Sequence, residues 1–174
     1  MSPTGNGSSN GDSSEATTEF EPILFEIIEG AIESARREME IQVERTARST
    51  IVREQHDHRS GIFDSHGNSV TALSFASVPT PIMNKFGANI HADDVFLYND
   101  PYKSDGGITH LGDMCITRPV FADGQIVAYV QVFGHVNDIG GLTPGSVPLT
   151  AFEIFQEGVV VPPVRLCAGG RLHA

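Results

Sequence analysis

The chain has 174 residues, 40% of them hydrophobic, and a formal net charge of −11, a size that supports one domain with its own core. Its nine arginines and two lysines are outnumbered by 22 acidic residues, which argues against nucleic acid as a partner because phosphate binding needs clustered cations. No apolar run approaches the roughly 18 residues of a membrane-spanning helix, and two cysteines, Cys115 and Cys167, form neither a disulfide framework nor a zinc ribbon.

The opening residues 1–18 are rich in Ser, Gly, Asn and Thr and predict a disordered tail, since they offer little apolar surface to offset ordering entropy. They contain no basic stretch followed by an apolar core, so no secretory signal is read and a cytoplasmic protein is expected. From Pro22 the pattern changes. Ile23, Ile27, Ala31, Ile32, Ala35 and Met39 recur every three or four residues, which predicts an amphipathic helix over about 22–48 whose apolar stripe packs on the rest of the fold. Pro22 suits the first turn, where its missing N–H costs nothing.

After His56-Asp57-His58 the period shortens. Gly61–Asp64 and Ser69–Leu73 read as two short strands about the turn Ser65–Asn68, and Pro79-Thr80-Pro81 as a loop. A strand runs from Asp93 to the turn signal Asn99-Asp100-Pro101, and residues 99–112 form a Gly-rich polar loop. "MCITRPVF" and "IVAYVQVFGH" are the arms of a hairpin turning at Asp123-Gly124. A Gly/Pro-rich loop over 139–148 precedes Phe152–Glu157 and "GVVVPPVRL". One long helix followed by a mainly antiparallel sheet with hairpins is an α+β pattern. Cys115, inside the hairpin, reads as a buried structural thiol.

Two His-x-x-Asp pairs stand at the ends of that hairpin: His110 with Asp113, and His135 with Asp138. A hairpin brings its two open ends together, so the four side chains can converge. Imidazole and carboxylate donors suit a divalent ion of the Mn, Fe, Zn or Co group. The neighbouring Gly106, Gly107, Gly140 and Gly141 leave room for a ligand to approach the backbone. A second reading is structural, in which each pair closes its own loop and the aspartate caps backbone N–H groups. The spacing matches no fixed metal-ligand signature, and both readings stand. His56, Asp57 and His58 form another polar cluster, equally explained as an exposed loop. "GGLTPGS" lacks the Gly-Lys-Ser/Thr ending of a phosphate loop, so it reads as a turn, and Ser146 has no nucleophile-elbow context.

Several longer stretches carry a resemblance. "NDPY" with "GGITHLGD", "PVFADGQIVAYVQVFGHVNDIGG", "TPGSVP" and "EIFQEGVVVPPVRL", together with "PILFEIIEGAIESARREMEIQVERTARS" and "GIFDSHGNSV" upstream, resemble the hydantoinase B/oxoprolinase family over about residues 20–172. The resemblance implies a B-type, metal-bearing part of an ATP-dependent hydrolase that opens a lactam or cyclic imide ring at a C–N bond. Ketone carboxylases of the acetone and acetophenone type belong to the same family and give the alternative. It further implies a divalent metal (Mn, Fe or Zn) on His110, Asp113, His135 and Asp138, and a hydantoinase A-type partner that uses ATP. The substrate would be a small lactam, imide or ketone.

Three departures from the family pattern matter. Val136 stands where the family's "GHHADIGG" has a second histidine. Lys103-Ser104-Asp105 and Ile108 lengthen the loop before His110. The chain also ends early for this family, so residues 19–174 are expected to be the N-terminal part of a longer domain, completed by the remainder of the B-type fold. Strands near 125–133 and 159–166 are then expected to be sheet edges. A non-catalytic assembly module is the rival reading, to which Val136 contributes.

Overall fold

A computed structural model describes residues 21–71 and 78–173. The tail expected over 1–18 lies outside them, as does the end of the strand expected over 69–73. The α+β expectation is met: helix α1 (Pro22–Thr46) and the short α2 (Thr50–Gln55) precede six strands, with α3 (Thr80–Phe86) between the first two. The strands are β1 (His58–Asp64), β2 (Val95–Tyr98), β3 (Asp113–Ala122), β4 (Gln125–His135), β5 (Val164–Ala168) and β6 (Arg171–Leu172). They form one sheet in the order β1-β4-β3-β2-β5-β6, and every neighbouring pair is antiparallel.

The β3–β4 hairpin is the centre of this sheet. Asp123 (φ 50°) and Gly124 (φ 77°) both take left-handed backbone at its tip, the conformation whose twist matches a two-residue hairpin. One face of the sheet packs Phe63, Phe96, Tyr98, Cys115 and Tyr129 against Ile82 of α3 and Ile90. Each fully buried aromatic of this kind contributes roughly 1.5–3 kcal/mol. Cys115 is fully buried there, as expected of a structural thiol. The Tyr98 hydroxyl donates to the Val78 carbonyl at 2.9 Å and accepts from Gln131 Nε2 at 2.8 Å, and burial pushes its pKa upward.

Four expectations are corrected. Pro79-Thr80-Pro81 does not form a loop but opens α3, with Pro81 in the first turn, where proline's fixed φ and missing donor are tolerated. The hairpin expected about the Ser65–Asn68 turn is not among them: Phe63 bridges Ser69 and the Val70 N–H bonds the Ile62 carbonyl at 2.9 Å, and its far end lies outside the described residues. The stretch 125–133 is not an edge, because β1 covers β4 with His58–Asp64 registered on Gly134–Ala128. The stretch 159–166 becomes a strand only at Val164, between β2 and β6.

The apolar stripe of α1 is the fourth. Its first half faces solvent, with Ile23 71% and Ile27 62% exposed. The helix meets the sheet through its second half, where Ala35, Met39 and Val43 share a groove with Ile62, Val130 and Val132. The most buried residue of α1 is Arg36, whose guanidinium reaches Glu33 (2.6 Å) and Glu40 (2.5 Å). Charge pairing one turn to either side makes that burial tolerable.

Candidate metal centre

The open end of the hairpin brings three of the four expected residues together. Asp113 begins β3, His135 ends β4, and the two are directly paired across the ladder, so their side chains share a face. His110 lies one turn upstream. Asp113 Oδ1 is 3.2 Å from His135 Nδ1 and 3.4 Å from His110 Nε2, and the two imidazole nitrogens are 3.0 Å apart. Thr109 Oγ1 holds the other His110 nitrogen at 3.1 Å. His135 and Asp113 are largely buried while the His110 side chain is 44% exposed, which leaves the cluster reachable from one side.

Local contacts fix the geometry. The His135 main chain is pinned at both ends, its N–H donating to the Asp57 carbonyl at 3.0 Å and its carbonyl accepting from Ser49 Oγ at 2.8 Å. Ser49 is also the N-cap of α2, so the start of that helix and the end of β4 are tied. Asn99, fully buried at the end of β2, donates through Nδ2 to the carbonyls of Leu111 (2.9 Å) and Val159 (3.0 Å) and accepts from the Val161 N–H (2.6 Å). It staples the segment carrying His110 to the sheet. Ser104, in the lengthened loop, is buried with Oγ bonded to Pro101 and Ile108 main chain, so it shapes the loop from within.

Asp138 stands elsewhere. Oδ1 accepts from the Gly140 N–H (2.8 Å) and from Ser146 Oγ (2.8 Å), and Oδ2 from the Gly145 N–H (3.0 Å). The Gly145 N–H, then Gly140 and Ser146, hold its carboxyl down at about 2. For this pair the loop-closing arrangement is the one adopted. The glycines noted as room for a ligand serve the loops too: Gly106 and Gly140 take positive φ, and Gly141 packs on the Glu157 carbonyl. The glycine at the cluster is one the motif reading passed over. A Cβ on Gly112 would lie 2.4 Å from the His135 ring, so "HLGD" needs a residue without a side chain there. Val136 is half-buried, and its N–H bonds the Gly112 carbonyl at 2.9 Å.

Two imidazoles and a carboxylate, with ligand atoms all within 4.8 Å of one another, form a donor set suited to a borderline divalent ion. Two nitrogens facing at 3.0 Å need a proton or a cation between them, and an anionic oxygen beside both favours either. Among the described residues a second such group exists, Glu44 with His56 and His58. The polar cluster at 56–58 is therefore not an exposed loop throughout, because His58 is buried.

Comparison with known proteins agrees with the resemblance. Residues 21–174 match the model of the hydantoinase B/oxoprolinase family. The caprolactamase beta subunit of Pseudomonas jessenii is 33% identical over 87% of this chain and 27% of the subunit. In the crystal structure of that organism's ATP-dependent caprolactamase, 88% of this chain superposes on 28% of the solved chain with a TM-score of 0.75. The 5-oxoprolinase of Saccharomyces cerevisiae is 32% identical over 82% of this chain and 12% of its own length. Acetone carboxylase shares the fold, with a TM-score of 0.73 at 22% identity over 88% of this chain and 21% of that one. The chain thus spans little more than a quarter of the length of these relatives, or less.

Proposed function

The chain belongs to the hydantoinase B/oxoprolinase family, and on that premise we propose that it is part of the metal-bearing B-type component of an ATP-dependent hydrolase. The reaction is the opening of a lactam or cyclic imide ring at its C–N bond. The observation that carries this reading is the meeting of His110, Asp113 and His135 at the mouth of the β3–β4 hairpin. These three residues would hold the divalent ion (Mn, Fe or Zn), with Asp138 keeping the following loop in shape. Such an ion supplies Lewis-acid polarisation of a carbonyl oxygen and acidification of a water molecule.

The chain's own residues contribute position and access. His135, clamped through Asp57 and Ser49, is the fixed member. His110, the most exposed of the three, borders the side from which substrate enters. Asp113 supplies the negative charge of the donor set, its Oδ1 lying 3.2 Å from His135 Nδ1 and 3.4 Å from His110 Nε2. ATP is used by a partner of the hydantoinase A type, the division of labour that membership of this family implies. The remainder of the B-type fold completes the pocket.

Hydrolysis is preferred over ketone carboxylation because the lactam-opening relatives reach 32–33% identity, against 22% for acetone carboxylase. The test is co-expression with the A-type partner, then assay of 5-oxoproline, hydantoin and caprolactam with ATP. Ring-opened product and ADP in step, lost with Asp113→Asn, are expected. ATP turnover driven by a ketone and bicarbonate, with no lactam opened, would favour the carboxylase instead.

A further inference from the structure

Glu44, His56 and His58 are drawn from three elements. Glu44 lies near the end of α1, His56 is the residue that stops α2 in a left-handed conformation (φ 56°, ψ 31°), and His58 begins β1. Their ring nitrogens meet one carboxylate oxygen: His56 Nδ1 is 2.8 Å and His58 Nε2 3.1 Å from Glu44 Oε1. The three ligand atoms all lie within 4.8 Å of one another. This group is separate from the cluster at the hairpin mouth, with which it shares no residue.

We propose that Glu44, His56 and His58 form a second divalent-cation site, of the class filled by Zn(II) or Co(II). Tetrahedral bonds of about 2.0 Å place neighbouring donor atoms roughly 3.3 Å apart, so the two contacts to Glu44 need open by only a few tenths of an ångström. A donor set of two imidazoles and one carboxylate selects this class over Mg or Ca, which prefer all-oxygen shells. The His56 side chain is 63% exposed and that of His58 only 3%, giving one open approach and one rigid ligand.

His58 adds an independent observation. Its Nδ1 is buried and has no hydrogen-bond partner, and the same holds for Ser60 Oγ two residues along the strand, where side chains return to the same face. Leaving buried polar atoms unpaired is costly. When an ion takes Nε2, the neutral ring carries its proton on Nδ1, as metal-bound histidines do. His56, bound through Nδ1, carries its proton on Nε2 in the same way. The far nitrogen of His58 then becomes a donor, and the buried Ser60 Oγ on the same face of the strand has no other partner. With two imidazoles on it, Glu44 is already held below the usual carboxylate range, His56 contributing first and His58 second, and is ionised for a cation. The bound ion would tie the end of α1 to β1, a strand along which that helix packs.

Zinc titration of the full chain, by calorimetry and by metal analysis after desalting, tests this. Two ions per chain are expected for the wild type and one for His56→Asn, which retains a residue tolerant of the left-handed backbone. His110→Ala/His135→Ala should retain one ion, and adding Glu44→Gln with His56→Asn should remove it. An unchanged stoichiometry in His56→Asn would overturn the proposal, as would loss of all zinc in His110→Ala/His135→Ala. If that double variant does not fold, the wild type against His56→Asn decides alone. Zinc retained at one ion in the wild type and lost only in His56→Asn supports this site while counting against metal at the hairpin mouth.

Discussion

Asp113 and His135 are opposite members of the last rung of the β3–β4 ladder, with Asp113 Oδ1 3.2 Å from His135 Nδ1. Their meeting depends on backbone register. A one-residue slip of the hairpin would turn one of them to the other face of the sheet. The left-handed pair Asp123 and Gly124 at the tip is therefore part of what sets the site.

Gly112→Ala tests how closely the loop approaches this rung. Gly112 is not among the positive-φ glycines, so alanine brings no backbone strain, only a Cβ 2.4 Å from the His135 ring. The ring must move. Divalent-metal affinity should fall by at least about 10-fold, with a stability loss of roughly 1–3 kcal/mol from overpacking. Titration with Mn or Zn, beside a thermal melt, measures both.

Asp138→Asn separates loop closure from metal ligation. The Gly145 N–H should lose protection against hydrogen exchange, while metal held by His110, Asp113 and His135 is retained. The folded pKa of Asp138 is depressed from its ordinary 3.8 to about 2. Its contribution is thus complete above pH 3.8 and is lost as pH falls through about 2. Exchange at Gly140 and Gly145 in the wild type should accelerate across that window, beyond its ordinary pH dependence, and show no such excess above it.

Asn99→Ala removes the staple between β2, Leu111 and residues 159–161. Three hydrogen bonds at about 1 kcal/mol each, with their buried partners left unmet, predict a destabilisation of about 3 kcal/mol. Denaturant unfolding of variant and wild type gives the figure. A change under about 1 kcal/mol would mean that other bonds replace the staple.

The hairpin and the cluster at its mouth are legible in the sequence because they rest on local signals. Asp123-Gly124 fixes the turn, alternation fixes the faces, and the arm lengths carry His110, Asp113 and His135 to one end. Asp138 is harder to place. Its His-x-x-Asp spacing copies that of Asp113, yet its oxygens are occupied by Gly140, Gly145 and Ser146, contacts no spacing rule distinguishes from ligation. The place of β1 beside β4 is a pairing between segments some 70 residues apart, which periodicity does not encode. Pro79-Thr80-Pro81 reads as a loop because proline both breaks and starts helices, and the residues downstream decide which. Glu44 lies on a helix 14 residues before His58, so only the folded chain joins them.

Metal content before and after removal of the two histidines at the hairpin mouth is the decisive measurement. The chain, co-expressed with the proposed hydantoinase A-type partner and desalted, should lose one equivalent of Mn, Fe or Zn in His110→Ala/His135→Ala, together with the proposed ATP-dependent ring opening. An unchanged metal content in a folded double variant would contradict the metal assignment and leave His110, Asp113 and His135 as a hydrogen-bonded closure of the hairpin.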